Sequence, residues 1–377
     1  MDARTVLRER PLFRLILALI CFSLLVGGCN RQQEPLKIGL AINLSGRGGA
    51  AGEHIRDGAL LAVEEINQQG GVNGRPLQLL VRDDRNTDDG VLLADESLIK
   101  EGVIAVIGHS LSANTVQAYP YVTSRDTLLI TAYTATTKLS GRDDLFFRTA
   151  IDCNLYGRKT AALLTRKGIT SVAFLLDMTN PDFVLDYVDK VRKSYAGRVA
   201  TVRFQPDGNV DWNRVTADLL ASAPEAIILL TEASMTAVAT QRLRDLPFRG
   251  PLIGTTWTQT PELLRIAGPA AEGLRIVSFI DPENHRPGYL KFSENLQARF
   301  NRQGNARSAR AYEMVYILAD GLRRCGTISP SDIKAALLAG KYGSILGPLQ
   351  FDRFGDVIRP VYEISVTQGR FVNLGEI

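Results

Sequence analysis

Residues 36–74 read LKIGLAINLSGRGGAAGEHIRDGALLAVEEINQQGGVNG. Residues 36–42 form a short apolar run, which predicts a buried strand. Within residues 53–67 the apolar side chains recur at helical spacing, which predicts a helix with one buried face. Gly70 and Gly71 then end the helix, and residues 77–81 form a second apolar run. The stretch therefore predicts a strand–helix–strand unit, the building block of a parallel sheet.

The same alternation continues through the rest of the chain. Further apolar runs at strand length lie at residues 103–107 and 127–131, with helical patterns after each of the first three strands. A second set of strands and helices begins near Asn154. Short loops between alternating elements predict parallel sheets that are covered on both faces. Since no linker rich in Pro, Ser or charge separates the two sets, we expect two lobes packed against each other.

Composition restricts the class of protein. The chain has 377 residues, of which 45% are hydrophobic and 22% charged, as in a soluble α/β protein with two domains. Residues 1–28 hold four Arg against one Asp and one Glu, so about +2 of the net charge of +4 remains beyond them. So small a charge gives no electrostatic argument for binding nucleic acid.

The first 28 residues have the pattern of a secretory signal peptide. Four arginines precede a 12-residue apolar run at residues 15–26, which is too short to span a bilayer. The run ends in Val26-Gly27-Gly28-Cys29, which resembles the lipobox of bacterial lipoproteins. The resemblance implies that Cys29 is lipidated and that residues 29–35 form a tether to the cell envelope. An ordinary signal peptide followed by a chance cysteine is the alternative.

Cys153 and Cys325 are the two cysteines that remain beyond this segment. An oxidising envelope permits them to pair. Two buried free thiols are an equally good interpretation, because a sequence gives no distance between the two Cα atoms.

Motifs for catalysis or cofactor binding are weak. Residues 46–51 fit the dinucleotide pattern G-x-G-x-x-A, but the acid expected about 20 residues further on is replaced by glycine. His54, His109 and His285 have no partners at metal-ligand spacing, and no G-x-S-x-G motif occurs. We therefore predict a protein without enzymatic activity, cofactor or metal.

Polar and aromatic residues follow several predicted strands at their carboxyl ends, where ligands bind in open α/β sheets. Each alone is also explained as a helix N-cap or a loop residue. Together they predict a ligand-binding cleft between the two lobes, with these candidate residues: Ser45, Ser112, Tyr133, Thr134, Glu232, Thr256 and Trp257.

Several short motifs resemble one known family, the branched-chain amino-acid-binding proteins. They are Asp57-Gly58-Ala59, Glu64-Glu65-Ile66-Asn67, Gly70-Gly71-Val72-Asn73-Gly74, Val106-Ile107-Gly108-His109, Ala311-Tyr312-Glu313 and Gly347-Pro348-Leu349-Gln350-Phe351-Asp352. The resemblance implies a type I periplasmic binding protein fold, α/β with two Rossmann-like lobes and parallel-type sheets. It also implies a hinge of three chain crossings, which divides the chain into lobe 1 (36–152 plus 280–360) and lobe 2 (153–279 plus 361–377).

The resemblance carries over only part of the family's ligand site. It assigns Ser112 to a carboxylate or carbonyl group, and Tyr133 and Trp257 to the walls of the site. The position of the family's acid, which neutralises the ammonium group of the ligand, is Thr256 here, and Glu232 is the nearest alternative. Because a buried ammonium without a carboxylate is costly, the sequence does not imply a standard branched-chain amino acid.

The resemblance implies a lipid-anchored, extracytoplasmic solute-binding protein that delivers a small polar ligand, an amino acid or an analogue, to an ABC permease. We expect a monomer that binds no nucleic acid and lies at the periplasmic or extracytoplasmic face of a membrane. The alternative is a ligand sensor or scaffold of the same fold that acts on an envelope receptor or enzyme. An exported enzyme is a weaker alternative, because no catalytic set occurs.

Overall fold

Two twisted sheets with helices on both faces account for most of the chain. The computed structural model describes residues 34–46, 48–206 and 208–377. The predicted signal peptide, Cys29 and residues 29–33 of the predicted tether lie outside these ranges. In the described part of the chain, no helix is both long and apolar enough to cross a membrane.

The strands and helices alternate along the chain. The strands are β1 (Leu36–Ile42), β2 (Leu77–Asp83), β3 (Ala105–Gly108), β4 (Leu128–Thr131), β5 (Phe146–Arg148), β6 (Ser171–Asp177), β7 (Arg198–Phe204), β8 (Ala226–Leu230), β9 (Leu252–Thr255), β10 (Arg275–Ser278), β11 (Tyr342–Ser344), β12 (Gly347–Leu349), β13 (Tyr362–Thr367) and β14 (Arg370–Glu376). The α-helices are α1 (Gly49–Gln68), α2 (Asp88–Lys100), α3 (Ser112–Thr123), α4 (Cys153–Arg166), α5 (Pro181–Ser194), α6 (Trp212–Ala221), α7 (Ala233–Arg244), α8 (Pro261–Ala267), α9 (Pro287–Phe300), α10 (Ala306–Arg324) and α11 (Pro330–Ala339).

The first sheet is wholly parallel and has the strand order β2-β1-β3-β4-β5. The second has the order β14-β13-β10-β9-β8-β6-β7, in which β6 to β10 are parallel and β13 and β14 are antiparallel. Every residue of β6 and β8 is buried, as expected for parallel strands with helices on both faces. The prediction of an α/β protein with mostly parallel sheets is therefore confirmed.

The chain crosses three times between the first sheet, with its helices, and the second sheet, with its helices. After β5 it leaves the first sheet and builds β6 to β10 of the second sheet. Helices α9 to α11 then pack against the first sheet, where Phe292, Met314 and Ile333 join the apolar cluster that contains Ile38. The chain finally returns to the second sheet as β13 and β14.

Helices α1 and α10 pack at very short range because one residue of α1 is glycine. A Cβ atom on Gly58 would lie 2.1 Å from the carbonyl oxygen of Ser308, a distance that no side chain tolerates. Asn305 caps α10, since its side chain accepts the N–H groups of Arg307 and Ser308 at 2.9 and 3.2 Å. The Asp57-Gly58-Ala59 motif thus fixes the start of α10 against the first lobe.

Some elements differ from the sequence expectations. Helices α8 and α11 and strand β5 were not expected. Cys153 and Cys325 are both free thiols, in α4 and directly after α10 respectively. The structure therefore favours the free-thiol alternative over pairing.

Candidate functional site

Two adjoining cavities lie between the lobes, at the carboxyl ends of strands from both sheets. The inner cavity has a volume of about 30 Å³ and is lined by Ser110, Tyr133, Ala135, Ala150, Tyr156, Asn180, Phe183, Thr256, Trp257, Phe279, Arg307 and Arg310. The outer cavity, of about 230 Å³, is lined by Asn43, Ser45, Gly46, Gly48, Ala51, Gly52, Arg85, Asn86, Ser110, Leu111, Asp177, Thr179, Glu232, Trp257 and Arg307. Ser110, Trp257 and Arg307 border both cavities, so the two form one cleft.

Five of the seven candidate residues lie in this cleft. Tyr133 and Thr256 line the inner cavity, Ser45 and Glu232 line the outer cavity, and Trp257 lines both. The strand-end pattern in the sequence therefore brings residues from both sheets to one place.

Ser112 and Thr134 are not part of either cavity lining. The Ser112 hydroxyl accepts the backbone N–H of Ala135 at 3.1 Å. The hydroxyl oxygen of Thr134 lies 2.5 Å from that of Thr115, and both side chains are buried. In this conformation the two residues hold the loops after β3 and β4 together.

The lobes touch each other beside the cleft. The Asn180 side chain, at the start of α5, accepts the backbone N–H of Ala113 at 3.1 Å. The Asp186 carboxylate accepts the backbone N–H of Thr137 at 2.5 Å and the hydroxyl of the same residue at 2.9 Å. These contacts join α5 to the loops of the first sheet and close the cleft on that side.

Aromatic rings form the wall of the inner cavity on the side of the second sheet. The rings of Phe183 and Trp257 meet edge to face with centroids 5.8 Å apart, and Tyr156 contacts Phe279 at 6.3 Å. The Tyr156 hydroxyl donates a hydrogen bond of 2.7 Å to the Thr256 hydroxyl, and burial raises the pKa of Tyr156. Thr256, where the resemblance implies an acid, is therefore a neutral side chain that is hydrogen-bonded to Tyr156.

Arg307 and Arg310, which the sequence motifs did not indicate, are the charged residues of the inner lining within the part of the chain that the structure describes. Both lie in the first turns of α10 and are 6% exposed. The Arg310 guanidinium donates from Nε to the carbonyl of Ala306 at 2.9 Å and from Nη1 to that of Ala132 at 3.0 Å. Arg307 donates from Nη2 to the carbonyl of Trp257 at 3.1 Å.

Neither guanidinium forms an ion pair with a carboxylate among the residues that the structure describes. Burial lowers the pKa of Arg310 to about 10 and also lowers that of Arg307. Cations near a helix N-terminus oppose the helix dipole, so both charges add to the positive end of α10. That unusual placement is the sequence signal that could have revealed the pair.

The acidic residues of the cleft lie in the outer cavity. Asp177 is fully buried, and burial raises its pKa. Glu232 caps α7 by accepting the N–H of Met235 at 3.0 Å. Among the described residues, no group of His, Cys, Asp and Glu side chains has an arrangement that could hold a metal ion.

A buried ionic cluster supports the loop after β3. Nδ1 of His109 lies 2.7 Å from Asp84, and Nε2 lies 3.3 Å from Asp95, with all three side chains buried. Burial alone would lower the pKa of His109, but the charge of Asp95 and the hydrogen bond to Asp84 raise it to about 10. The cluster anchors the backbone that leads directly to Ser110 at the junction of the two cavities.

Comparison with known proteins identifies the family. The family model for periplasmic binding proteins matches residues 35–370. The leucine-, isoleucine-, valine-, threonine- and alanine-binding protein of Pseudomonas aeruginosa is 26% identical over 338 residues, which cover 86% of this chain and 87% of the relative.

Two solved structures share the fold. The leucine-binding protein LivK of Thermotoga maritima has a TM-score of 0.82 at 22% identity, covering 91% of this chain and 98% of the other. The branched-chain amino acid transporter substrate-binding protein LivJ of Streptococcus pneumoniae, in complex with isoleucine, also has a TM-score of 0.82, at 20% identity, covering 91% of this chain and 100% of the other. The expected family and fold are therefore confirmed: the chain belongs to the periplasmic binding proteins and has their type I fold.

Proposed function

We propose that this protein is a lipid-anchored, extracytoplasmic solute-binding protein of an ABC importer, and that it binds an amino acid or a related small polar ligand between its lobes. The observation that carries the proposal is the position of the cleft. It lies at the carboxyl ends of parallel strands from both sheets, where open α/β folds bind ligands. Relatives named for amino-acid binding support the same role.

Ligand binding would close the two lobes by a hinge motion. We assign residues 36–152 and 280–360 to lobe 1, and residues 153–279 and 361–377 to lobe 2. A ligand favours the closed state only if it contacts both lobes. Tyr133 on one side and Trp257 on the other face the same inner cavity, so one ligand can contact both. We propose that Ser45, Thr256 and Glu232 provide polar contacts in the closed cleft. Ser112 would bind an anionic or carbonyl group of the ligand, and Thr134 would provide a polar contact, if the loops after β3 and β4 separate and release their hydroxyls.

The predicted lipid on Cys29 would hold the protein at the cell envelope, beside the permease that receives the ligand. Residues 29–35 leave a short tether between lipid and fold. Several acyl chains on one cysteine anchor a protein firmly, whereas a single chain binds a membrane only marginally.

A ligand screen with the purified full chain tests the binding role. Ligands that bind only the folded state raise the unfolding temperature, and the rise increases with the ratio of ligand concentration to dissociation constant. We expect at least one compound among amino acids, amides, ureas and organic acids to raise it, with saturable heat in calorimetry. A Trp257→Ala variant should lose this response. If no compound stabilises the protein, or if Trp257→Ala responds as the parent does, the cleft is not the binding site.

A further inference from the structure

We propose that the cleft selects a small organic anion whose carboxylate is bound by Arg307 and Arg310, and which carries no ammonium group beside that carboxylate. The inference rests on the proposed binding role of the cleft. It goes further by naming the ligand class and the two residues that determine it.

Both guanidiniums retain unused hydrogen-bond donors. Two of the five N–H groups of Arg310 donate to the carbonyls of Ala306 and Ala132, which leaves three. Nε of Arg307 is buried without a hydrogen-bond partner. A buried donor that stays unpaired is unfavourable, and a carboxylate is the group that best satisfies a guanidinium.

The two arginines lie close together at the start of α10 and line the same cavity. Residues 307 and 310 are three positions apart on α10, so their side chains leave the same helix face. The Tyr133 ring lies under the Arg310 guanidinium at 4.5 Å, and the Phe279 centroid is 5.7 Å away. These rings hold the cation in place without neutralising its charge, which leaves the charge available to a ligand.

The inner cavity excludes an ammonium group. Among the residues that the structure describes, its lining contains two cations and no acidic residue, and Thr256 is already bonded to Tyr156. The ammonium of an α-amino acid lies next to its carboxylate, so it would enter this positive region without a counter-ion. Among the described residues, the acidic side chains of the cleft, Asp177 and Glu232, line only the outer cavity.

The two volumes fit a ligand that spans both cavities. A space of about 30 Å³ holds a group of one or two water molecules in size, such as a carboxylate. The remainder of the ligand would pass Trp257 and Arg307 into the outer cavity of about 230 Å³. Polar side chains such as Asn43 and Ser45 line that space, which suits a chain that carries hydroxyl or carbonyl groups.

Matched sets of compounds test whether the cleft prefers a carboxylate that has no neighbouring ammonium group. Each set has an acid, its neutral amide and the corresponding α-amino acid: 4-methylpentanoate, 4-methylpentanamide and leucine; 3-phenylpropanoate, 3-phenylpropanamide and phenylalanine; 4-hydroxybutanoate, 4-hydroxybutanamide and homoserine. Calorimetry with the full chain should show at least one acid binding at least about tenfold more tightly than its amide and its amino acid. An amino acid or amide that binds as tightly as its acid overturns the inference but leaves the binding role intact. If none of the nine compounds binds but another compound of the wider screen does, the inference fails and the binding role stands. If no compound of that screen binds, both are contradicted.

Variants separate a ligand contact from a structural role. Arg307→Met and Arg310→Met should each weaken binding of the acid at least about tenfold, whereas Arg310→Lys should retain part of the preference for acids. Both Met variants lose hydrogen bonds to backbone carbonyls, and Arg310→Met also loses the contact with the Tyr133 ring, so the ligand-free variants should unfold somewhat below the parent temperature. Affinities are therefore compared at a temperature at which the parent and both variants are fully folded. Arg299→Met, which removes an exposed arginine paired with Glu64, is the matched control and should bind normally. If Arg310→Met unfolds at a lower temperature and keeps its affinity for the acid, Arg310 is a structural residue and the inference fails.

Discussion

The guanidinium of Arg310 lies 4.5 Å from the centroid of the Tyr133 ring. The hydroxyl of the same tyrosine donates a hydrogen bond of 2.7 Å to the backbone carbonyl of Arg307. One side chain from the loop after β4 therefore contacts both arginines at the start of α10. Its ring and its hydroxyl have separable roles, which two substitutions can distinguish.

Tyr133→Phe keeps the ring below Arg310 and removes the hydrogen bond to Arg307. We expect the free energy of unfolding to fall by about 1 kcal/mol. Tyr133→Leu also removes the cation–π contact, and we expect a further loss of about 1–2 kcal/mol. Urea unfolding of the two variants measures the difference. Equal stability of the Phe and Leu variants would show that the ring does not stabilise the arginine.

Gly58 permits the close contact of α1 with α10. Substitution by alanine normally stabilises a helix by about 1 kcal/mol. Here the added Cβ would lie 2.1 Å from the carbonyl oxygen of Ser308, so we expect Gly58→Ala to lose about 1–3 kcal/mol instead. The matched control is Gly343→Ala, because no heavy atom beyond its chain neighbours lies within 4 Å of the Cβ position. Equal urea midpoints for both variants would contradict this packing.

His109 makes stability depend on pH. Its pKa in the folded protein is about 10, above the ordinary value of 6.5, because the two buried aspartates favour the charged imidazolium. The stabilisation is therefore complete below pH 6.5 and is lost as pH rises from 6.5 towards 10. The free energy of unfolding should fall by at most about 1.4 kcal/mol per pH unit in that window.

Nuclear magnetic resonance of the imidazole protons checks this assignment. The His109 signal should remain that of the charged form at neutral pH. Burial lowers the pKa of His54, so its signal should titrate below pH 6.5 and serves as an internal comparison. A His109 midpoint near 6.5, together with stability that is flat from pH 7 to 9, would contradict the role of the cluster.

Cys29→Ser tests the proposed lipid anchor. Without the thiol no thioether to lipid can form, so the variant should lose metabolic labelling by palmitate and leave the membrane fraction. Cys21→Ser, within the predicted signal peptide, is the matched control and should retain both. Membrane retention and labelling of the Cys29→Ser protein would rule out the anchor.

Periodicity predicted the fold more completely than the site. Strands and helices can be predicted from the spacing of apolar residues along a single sequence. Strand β6, whose residues are all buried, contains such a run of apolar side chains. Helix α11 was missed although Ser329 and Pro330 have the pattern of a helix start. The apolar side chains of α11 pack against the first lobe, and a single sequence does not reveal that contact.

The site was only partly predictable because its chemistry depends on contacts between distant residues. Tyr133 and Trp257 were identified because both follow strands. Arg307 and Arg310 lie in the first turns of α10, and the sequence alone does not show that this end of the helix is buried. Only the structure shows that this helix lies in close contact with Gly58 of α1 and that both arginines are buried in the cleft.

Fluorescence of Trp257 tests the central claim, that ligand binds between the lobes, most directly. The chain has two tryptophans, and Trp212 packs against Phe204 in the second lobe, so Trp212→Phe leaves Trp257 as the only reporter. Titration of this variant with a compound that raises its unfolding temperature should change the emission of Trp257 saturably. The dissociation constant should equal that from calorimetry. Calorimetric binding without any change in Trp257 emission would contradict a site between the lobes.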